Sequence, residues 1–232
     1  MVILSKAHSK KVQGASKFIN EVDESIRVVN RVEQICNEIK KNSIITYQET
    51  TATNKNDNLN NIIKFHNSKS KDLNISLHFN SATFKQNGKD IDYTDKPIGI
   101  EIFYCSDKGK AQARKYQDKL VKVSGLIDRG IKYDADYKKL GFLRNTTGTS
   151  ILIELCFVNS KKDVEIYKNK FEDICIALAE LITGEKYIKK SNVEKGVYQV
   201  VTQSFSHKEN AIKYQEELKK KGVSSFLQYR EV

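Results

Sequence analysis

The 232-residue sequence contains no tryptophan, one proline and one methionine, and it lacks any long apolar run. A membrane-spanning helix needs about 20 consecutive apolar residues, so we expect no membrane span. The N-terminal Met1-Val2-Ile3-Leu4 is apolar but is followed at once by Ser5-Lys6. This is far short of the apolar core of a secretory signal. We therefore expect synthesis in the cytoplasm without a signal peptide.

The four cysteines form no Cys-x-x-Cys pair, which argues against a thiolate zinc site. They are Cys36, Cys105, Cys156 and Cys175. Cys36 and Cys175 lie in helical apolar patterns, so they are expected to be buried thiols. This usage fits synthesis in a reducing compartment.

Basic residues outnumber acidic ones, 40 against 29, which gives a formal charge of +11. Such a charge favours an anionic partner such as nucleic acid, a membrane face or an anionic cell-wall polymer, although a solvated basic surface explains it equally. The lysines are scattered, and no arginine-rich block or aromatic-basic pattern of a nucleic-acid module appears. We therefore expect no nucleic-acid partner.

Apolar strand patterns alternate with amphipathic helix patterns along most of the chain. This order predicts an α/β fold, in which a twisted, mainly parallel or mixed sheet is flanked by helices on both faces. The predicted strands are Val2–Ser5, Ile44–Tyr47, Asn74–Ser81, Ile98–Tyr104 (half exposed on one face) and Ile151–Val158. The predicted helices are Glu21–Lys41, one capped by Asn58, Gly109–Ser124 and Asp163–Thr183. A polar surface excursion is predicted over 85–96 and a basic loop over 128–139.

Three segments make up the predicted domain organisation. Residues 1–185 form the main domain, residues 186–195 a charged linker, and residues 196–232 a small βαβ half-module. The half-module consists of a strand over Val197–Gln203, a helix over Lys208–Lys221 and a strand over Ser224–Tyr229.

Two predicted buried strands each carry a polar side chain that is unusual in such a strand. His78 stands at the end of an apolar run, where residues of open α/β sheets meet ligands, although a core histidine with one hydrogen bond is an equal alternative. Glu154 is the single carboxylate of an otherwise apolar strand. A buried carboxylate is costly to desolvate, so Glu154 needs a cation, a metal or a raised pKa. Strand alternation places Cys156 on the face of Glu154.

Two further residues complete a candidate metal site. His8 follows the first strand, and Glu21 stands with Asp23 and Glu24 in the first turn of a helix, where helix-dipole complementation also explains a carboxylate. Two imidazoles and one carboxylate form a standard catalytic zinc set, and a fourth, non-ligating glutamate is what such a site needs as general base.

The chain resembles the zinc-dependent N-acetylmuramoyl-L-alanine amidases of the third amidase type, especially the catalytic domains of phage endolysins. The match runs in the family's order over about residues 1–184. Its pieces are Ala7-His8-Ser9, Gly14-Ala15, Asn20-Glu21, Ile75-Ser76-Leu77-His78-Phe79-Asn80-Ser81, Gly99-Ile100-Glu101-Ile102 and Ile153-Glu154-Leu155-Cys156-Phe157-Val158. One departure is Ala7, where the family commonly has glycine.

The resemblance implies roles for individual residues. His8, Glu21 and His78 are expected to bind Zn²⁺, with Glu24 as the second choice for the carboxylate, and Glu154 is expected to be the catalytic carboxylate. Asn80 and Arg144 are candidates for substrate contacts. His66 is expected at the surface or at a helix end, and His207 in the tail; neither fits the ligand pattern.

The resemblance also implies a function. The expected reaction is hydrolysis of the amide bond between N-acetylmuramic acid and L-alanine in the peptidoglycan of a Gram-positive wall, for host-cell lysis by a phage or prophage. The protein is then expected to act at the cell wall after its release. The alternatives are a zinc peptidase that cuts the stem peptide and a noncatalytic peptidoglycan-binding protein.

The C-terminal segment resembles the first half of a SPOR domain, a small peptidoglycan-binding module. The matching residues are Gly196-Val197-Tyr198-Gln199-Val200, Phe205-Ser206 and Asn210-Ala211. Because half of a split βαβ module exposes strand edges, we expect homodimerisation through residues 196–232 or a truncated remnant.

Overall fold

The computed structural model describes residues 1–86, 88–137, 139–188 and 203–227. The chain divides into two compact units, Met1–Ile188 and Lys189–Val232. The strands of the first unit are β1 (Val2–Lys6), β2 (Ile44–Tyr47), β3 (Leu73–Asn80), β4 (Phe84–Gln86), β5 (Lys89–Ile91), β6 (Ile100–Tyr104), β7 (Asp128–Tyr133) and β8 (Ser150–Phe157). Its helices are α1 (Glu21–Ile39), α2 (Lys55–Asn67), α3 (Asp107–Ser124), α4 (Gly141–Asn145), α5 (Lys161–Asn169) and α6 (Phe171–Thr183).

Six strands form a mixed, mostly parallel sheet in the order β2-β1-β3-β8-β6-β7. Neighbouring strands are parallel, except that β6 runs antiparallel to β8. Strands β4 and β5 form a separate antiparallel hairpin. This architecture confirms the predicted α/β class.

One face of the sheet carries the large hydrophobic core, which is covered by α1, α3 and α6. Leu4, Ile75, Leu77 and Ile153 point into this core and are completely buried. Burying each such side chain stabilises the fold by about 1.5–3 kcal/mol. Because strand side chains alternate, the intervening residues of β3 and β8 lie on the opposite face, where the polar side chains collect.

A smaller cluster, partly from α2 and α4, covers part of the opposite face. Its buried members are Ile62, Phe103, Phe142, Leu143 and Leu152. His66 packs edge-on against one of these, the ring of Phe142, and is completely buried. Its Nδ1 lies 2.9 Å from Oδ1 of Asn74. Of the two positions expected for His66, the surface is wrong, because α2 turns this face of the helix towards the sheet, whereas the helix end is confirmed, since His66 is the penultimate residue of α2.

A β-bulge lies between β3 and β8 at the C-terminal ends of the two strands. His78 pairs with Glu154, but Asn80 pairs with Phe157, so β8 takes three steps where β3 takes two. The extra residue places both Leu155 and Cys156 in the large core. The prediction that Cys156 shares the face of Glu154 is therefore wrong, since simple alternation stops at the bulge.

Two predictions about the sheet edge are also wrong. Residues 128–133 were expected in a loop, but they form β7, a strand at the edge of the sheet. Its charged residues Arg129 and Lys132 are typical of edge strands, where charge prevents pairing with other chains. With β7 beside it, β6 is buried on both faces at Ile100–Phe103 and is not half exposed.

Two helices differ from their predicted bounds. Asn54, and not Asn58, caps α2, through a hydrogen bond from the Asp57 backbone N–H to its side chain. The single helix expected over Asp163–Thr183 is interrupted at Lys170, which ends α5 and precedes α6. Its backbone (φ −110°, ψ 12°) leaves the helical range and turns the chain.

The second unit contains α7 (Lys208–Lys220), which confirms the helix predicted over Lys208–Lys221. No strand is assigned over its described residues 203–207 or 223–227. The remainder of both predicted strands, and most of the predicted linker, lies outside the described residues. Across the described ranges, no helix is both long and apolar enough to cross a bilayer.

Candidate metal centre

Glu21 is the first residue of α1 and lies almost fully inside the protein, with 3% of its surface exposed. Asn20 caps the helix by accepting a hydrogen bond from the Asp23 N–H. The Glu21 carboxylate accepts hydrogen bonds from the Ala15 N–H (2.7 Å) and the Phe79 N–H (3.2 Å). A helix N-terminus favours a carboxylate, and the two N–H groups fix its direction.

His8, Glu21 and His78 form a group of three potential metal ligands. Nδ1 of His78 lies 3.0 Å from Oε1 of Glu21, and Nε2 of His8 lies 3.5 Å from Oε2. One donor atom from each residue lies within 4.8 Å of the other two. Glu21 thus stands between the imidazoles, and the group could hold a metal ion.

Gly14 makes room for this group. A Cβ at this position would lie 2.8 Å from the carboxyl carbon of Glu21 and 2.5 Å from Cδ2 of His8, and closer still to Oε2 of Glu21. Such contacts are shorter than real Cβ atoms show. A residue without a side chain is therefore required for His8 and Glu21 to approach each other.

Ser76 orients the His78 ring; it lies two residues earlier on β3, on the same face of the sheet. Its Oγ lies 2.9 Å from Nε2 of His78, while Nδ1 faces Glu21. A partner on one ring nitrogen sets the tautomer and direction of the other, as it does for metal-binding histidines.

The environment favours the neutral form of His8 and the charged form of Glu21. Burial, followed by the proximity of His78, lowers the pKa of His8. Burial by itself raises the pKa of Glu21, but the hydrogen bond with His78 and the charges of the two imidazoles outweigh it, so the pKa is lowered. Neutral histidine and ionised carboxylate are the forms that bind a metal ion.

Glu154 lies on β8 directly beside His78, its Cα partner on β3. Its exposed fraction is 7%. Adjacent strands are about 4.8 Å apart, so the carboxylate stands next to the three-ligand group without belonging to it. This is the position that a general base needs beside a metal centre.

Comparison with known proteins identifies the fold that carries this group. The family model described as N-acetylmuramoyl-L-alanine amidase matches residues 2–183. The chain belongs to this amidase family. An uncharacterized 38.4 kDa protein of Clostridium perfringens is 30% identical over 175 residues, which cover 75% of this chain and 47% of that protein. The chain thus spans about half the length of the curated relatives that it matches.

Solved amidase structures share the fold. The catalytic domain of the CD27L endolysin, described as targeting Clostridia difficile, is 25% identical, with a TM-score of 0.63 over 80% of this chain and 97% of that domain. The CwlD amidase from Clostridioides difficile, in complex with the GerS lipoprotein, is 20% identical. Its TM-score is 0.64, over 79% of this chain and 96% of that one.

Glu24, the second candidate for the carboxylate ligand, lies outside the group. Its Oε2 accepts a hydrogen bond from the Tyr167 hydroxyl (2.5 Å) and forms an ion pair with Arg27 (3.3 Å). These contacts assign Glu24 to the packing of α1 against α5, and they leave Glu21 as the carboxylate that faces both histidines.

Asn80 lies in a polar network that sequence reasoning missed in part. Its Nδ2 donates to Oε1 of Glu101 (2.8 Å), and Oε2 of Glu101 accepts from Nε of Arg129 (2.9 Å). Glu101 is the only carboxylate of an apolar strand, the same signal that singled out Glu154. Glu101 was not singled out from the sequence, because β6 was expected to be half exposed and a carboxylate is unremarkable on an exposed face.

Arg144 lies apart from the three-ligand group. Its Nε donates to Oδ2 of Asp134 (2.8 Å), and the other oxygen of Asp134 accepts from the Leu140 N–H (2.6 Å). Asp134 follows Tyr133, the last residue of β7, which lies three strand positions from the level of Glu154. This ion pair anchors the segment before β8. A substrate contact by Arg144 stays a prediction that this geometry does not favour.

Proposed function

We propose that this chain is a zinc-dependent N-acetylmuramoyl-L-alanine amidase that hydrolyses the bond between N-acetylmuramic acid and L-alanine in peptidoglycan. The observation that carries the proposal is the buried Glu21 carboxylate between His8 and His78, with Glu154 on the adjacent strand. Membership of the amidase family supports the same reaction.

The three side chains fit Zn²⁺ by their chemistry and by the space around them. Two imidazole nitrogens and one carboxylate oxygen are a common catalytic zinc set. Gly14 leaves the room that His8 and Glu21 need, and Ser76 fixes the ring of His78. When bound, Zn²⁺ supplies Lewis acidity at the substrate carbonyl and lowers the pKa of water to about 7.

Glu154 is the proton carrier in this proposal. Its carboxylate accepts a proton from the attacking water and returns it to the nitrogen of L-alanine as the amide bond breaks. Because Glu154 pairs with His78 across β8 and β3, its carboxylate lies close to the three-ligand group. Glu21 is less suited to this role, because two backbone N–H groups and His78 already occupy its oxygens.

A variant of Glu154 tests the assignment. We expect Glu154→Gln to bind zinc like the parent but to lose the clearing of purified cell-wall suspensions, by about 10²- to 10⁴-fold, the usual contribution of a general base. The matched control is Glu165→Gln, since the one ion pair of Glu165 among the described residues is the exposed pair with Lys162. Wall clearing by Glu154→Gln at the parent's rate would refute the role, and clearing that resists a chelator would refute zinc dependence.

The biological setting is also a proposal. Host-cell lysis by a phage or prophage of a Gram-positive bacterium is supported by the likeness to an endolysin catalytic domain. The charge of +11 favours attraction to an anionic wall. Residues 196–232 are proposed as a partial SPOR-like wall-binding segment that pairs two copies of the chain. Sedimentation at high concentration tests the pairing, and a monomer would contradict it.

A further inference from the structure

Arg129 is held over the sheet surface by two contacts. Its Nε donates to Oε2 of Glu101 at 2.9 Å, and its guanidinium carbon lies 5.0 Å from the centre of the Phe157 ring. Asn80 fixes the second oxygen of Glu101. A charge-assisted hydrogen bond and a cation–π contact together give the guanidinium a defined direction.

The anchored guanidinium lines an open cleft of about 310 Å³. Asn80, Glu101 and Phe157 line it from the sheet, and Lys132 and Tyr137 from its edge. Glu101 is the Cα partner of Glu154 across β6 and β8, and Phe157 is the partner of Asn80. The cleft therefore adjoins the proposed catalytic carboxylate. The bulge in β8 makes this possible, because it returns Phe157 to the face of the metal group.

Two cationic side chains of the cleft, those of Arg129 and Lys132, have hydrogen-bond donors that no described residue uses. Nε is the only Arg129 atom with a hydrogen bond to the described residues, so both Nη groups remain available. Lys132 forms no ion pair with any described residue and lies 5.5 Å from the centre of the Tyr137 ring. Glu101 is the one carboxylate among the described residues of the lining, and Arg129 and Asn80 already engage its two oxygens.

We propose that Arg129 binds a carboxylate of the stem peptide, on the residue that follows L-alanine. The inference rests on the proposed amidase function. The two Nη groups match the two oxygens of a carboxylate, and a primary amide at the same place offers neither the charge nor the second acceptor. Arg129 leans from β7 over β6, one strand from Glu154, and an extended peptide covers about 3.5 Å per residue, so two residues span that distance.

The experiment compares two muropeptides that differ in one group. N-acetylmuramoyl-L-alanyl-D-glutamate and N-acetylmuramoyl-L-alanyl-D-isoglutamine, each with its γ-carboxyl group capped as a methylamide, carry a carboxylate and a primary amide, respectively, at the α-position of the residue after L-alanine. Their binding is measured by calorimetry with the zinc-loaded Glu154→Gln variant, so that neither is cleaved. We expect the acid to bind about tenfold more tightly, as a charged hydrogen-bond pair allows.

Variants then assign the preference to Arg129. Arg129→Gln in the same background should weaken binding of the acid about tenfold and that of the amide less than twofold. Arg129→Lys keeps the charge but loses the fork and should show an intermediate preference. The matched control is Arg114→Gln, which removes the same charge from an exposed pair with Asp118 on α3 and should leave both affinities unchanged.

The outcomes separate this inference from the amidase proposal. Equal binding of acid and amide, or equal losses with Arg129→Gln and Arg114→Gln, overturns the carboxylate site even if the parent is an amidase. A preference that depends on Arg129, found together with a parent that cuts a different bond, supports the site and refutes the amidase. Thermal unfolding of each variant at the parent's temperature excludes misfolding as the cause of a lost preference.

Discussion

Replacing Gly14 by alanine is expected to damage the metal centre without damaging the fold. The new methyl group would lie 2.5 Å from Cδ2 of His8 and 2.8 Å from the carboxyl carbon of Glu21. The atoms that the methyl group meets are side-chain atoms of Glu21 and His8 and not backbone atoms, so relief of the contacts does not require the backbone to move. Moving the Glu21 side chain, however, breaks the hydrogen bonds from the Ala15 and Phe79 N–H groups that aim the carboxylate at the histidines.

The size of the effect follows from these distances. Relief of the closest contacts needs a movement of roughly 1 Å, whereas ligand distances in a metal site hold to about 0.2 Å. Displacements of about 1 Å in functional groups cost on the order of 100-fold. We therefore expect the zinc affinity of Gly14→Ala to fall about 100-fold, equivalent to about 3 kcal/mol.

Competition with a fluorescent zinc chelator measures this affinity. The matched control is Gly141→Ala, whose new methyl group has its closest contact with Cδ2 of Leu59 at 2.8 Å, the flexible end of a side chain outside the three-ligand group. Unfolding in urea should be similar for both variants. If Gly14→Ala binds zinc as tightly as the parent, the proposed packing of Gly14 against His8 and Glu21 is refuted.

Two further predictions concern His78 and His66. Ser76→Ala should lower zinc affinity about 10- to 100-fold, because it removes the partner of Nε2 of His78; unchanged affinity in the chelator assay would contradict the orienting role. Burial lowers the pKa of His66 to about 4, despite the opposing hydrogen bond with Asn74. The unfolded chain therefore takes up this proton near pH 6.5, and the free energy of unfolding should fall by up to about 3 kcal/mol between pH 6.5 and 4, with no further loss below. Urea unfolding of the parent and of His66→Gln tests this, and an identical pH dependence in both would refute it.

Much of the sheet was predictable because its buried strands have a simple chemical pattern. Asn74–Ser81 and Ile151–Val158 were placed within one residue of β3 and β8, since their length and apolar content leave few other structures. Glu154 stood out for the same reason, as a carboxylate in an apolar strand. His8, Glu21 and His78 are far apart in sequence, so their approach depends on the parallel order of β1 and β3 and the start of α1.

The remaining features depend on tertiary contacts that no local pattern records. The orientation of Cys156 depends on a register shift between two strands, and a single extra residue reverses it. The burial of His66 depends on which face α2 turns to the sheet. Strand β7 was missed because its side chains are partly exposed and basic, as suits an edge, so its sequence resembles a loop.

The central claim is that His8, Glu21, His78 and Glu154 hydrolyse the bond between N-acetylmuramic acid and L-alanine. Its most direct test is mass spectrometry of purified peptidoglycan digested by the zinc-loaded protein, with glycan chains and peptides separated. The proposal predicts free stem peptides that begin with L-alanine, intact N-acetylmuramic acid on the glycan, and neither product with Glu154→Gln. Fragments cut within the stem peptide, with L-alanine still attached to the glycan, would contradict it.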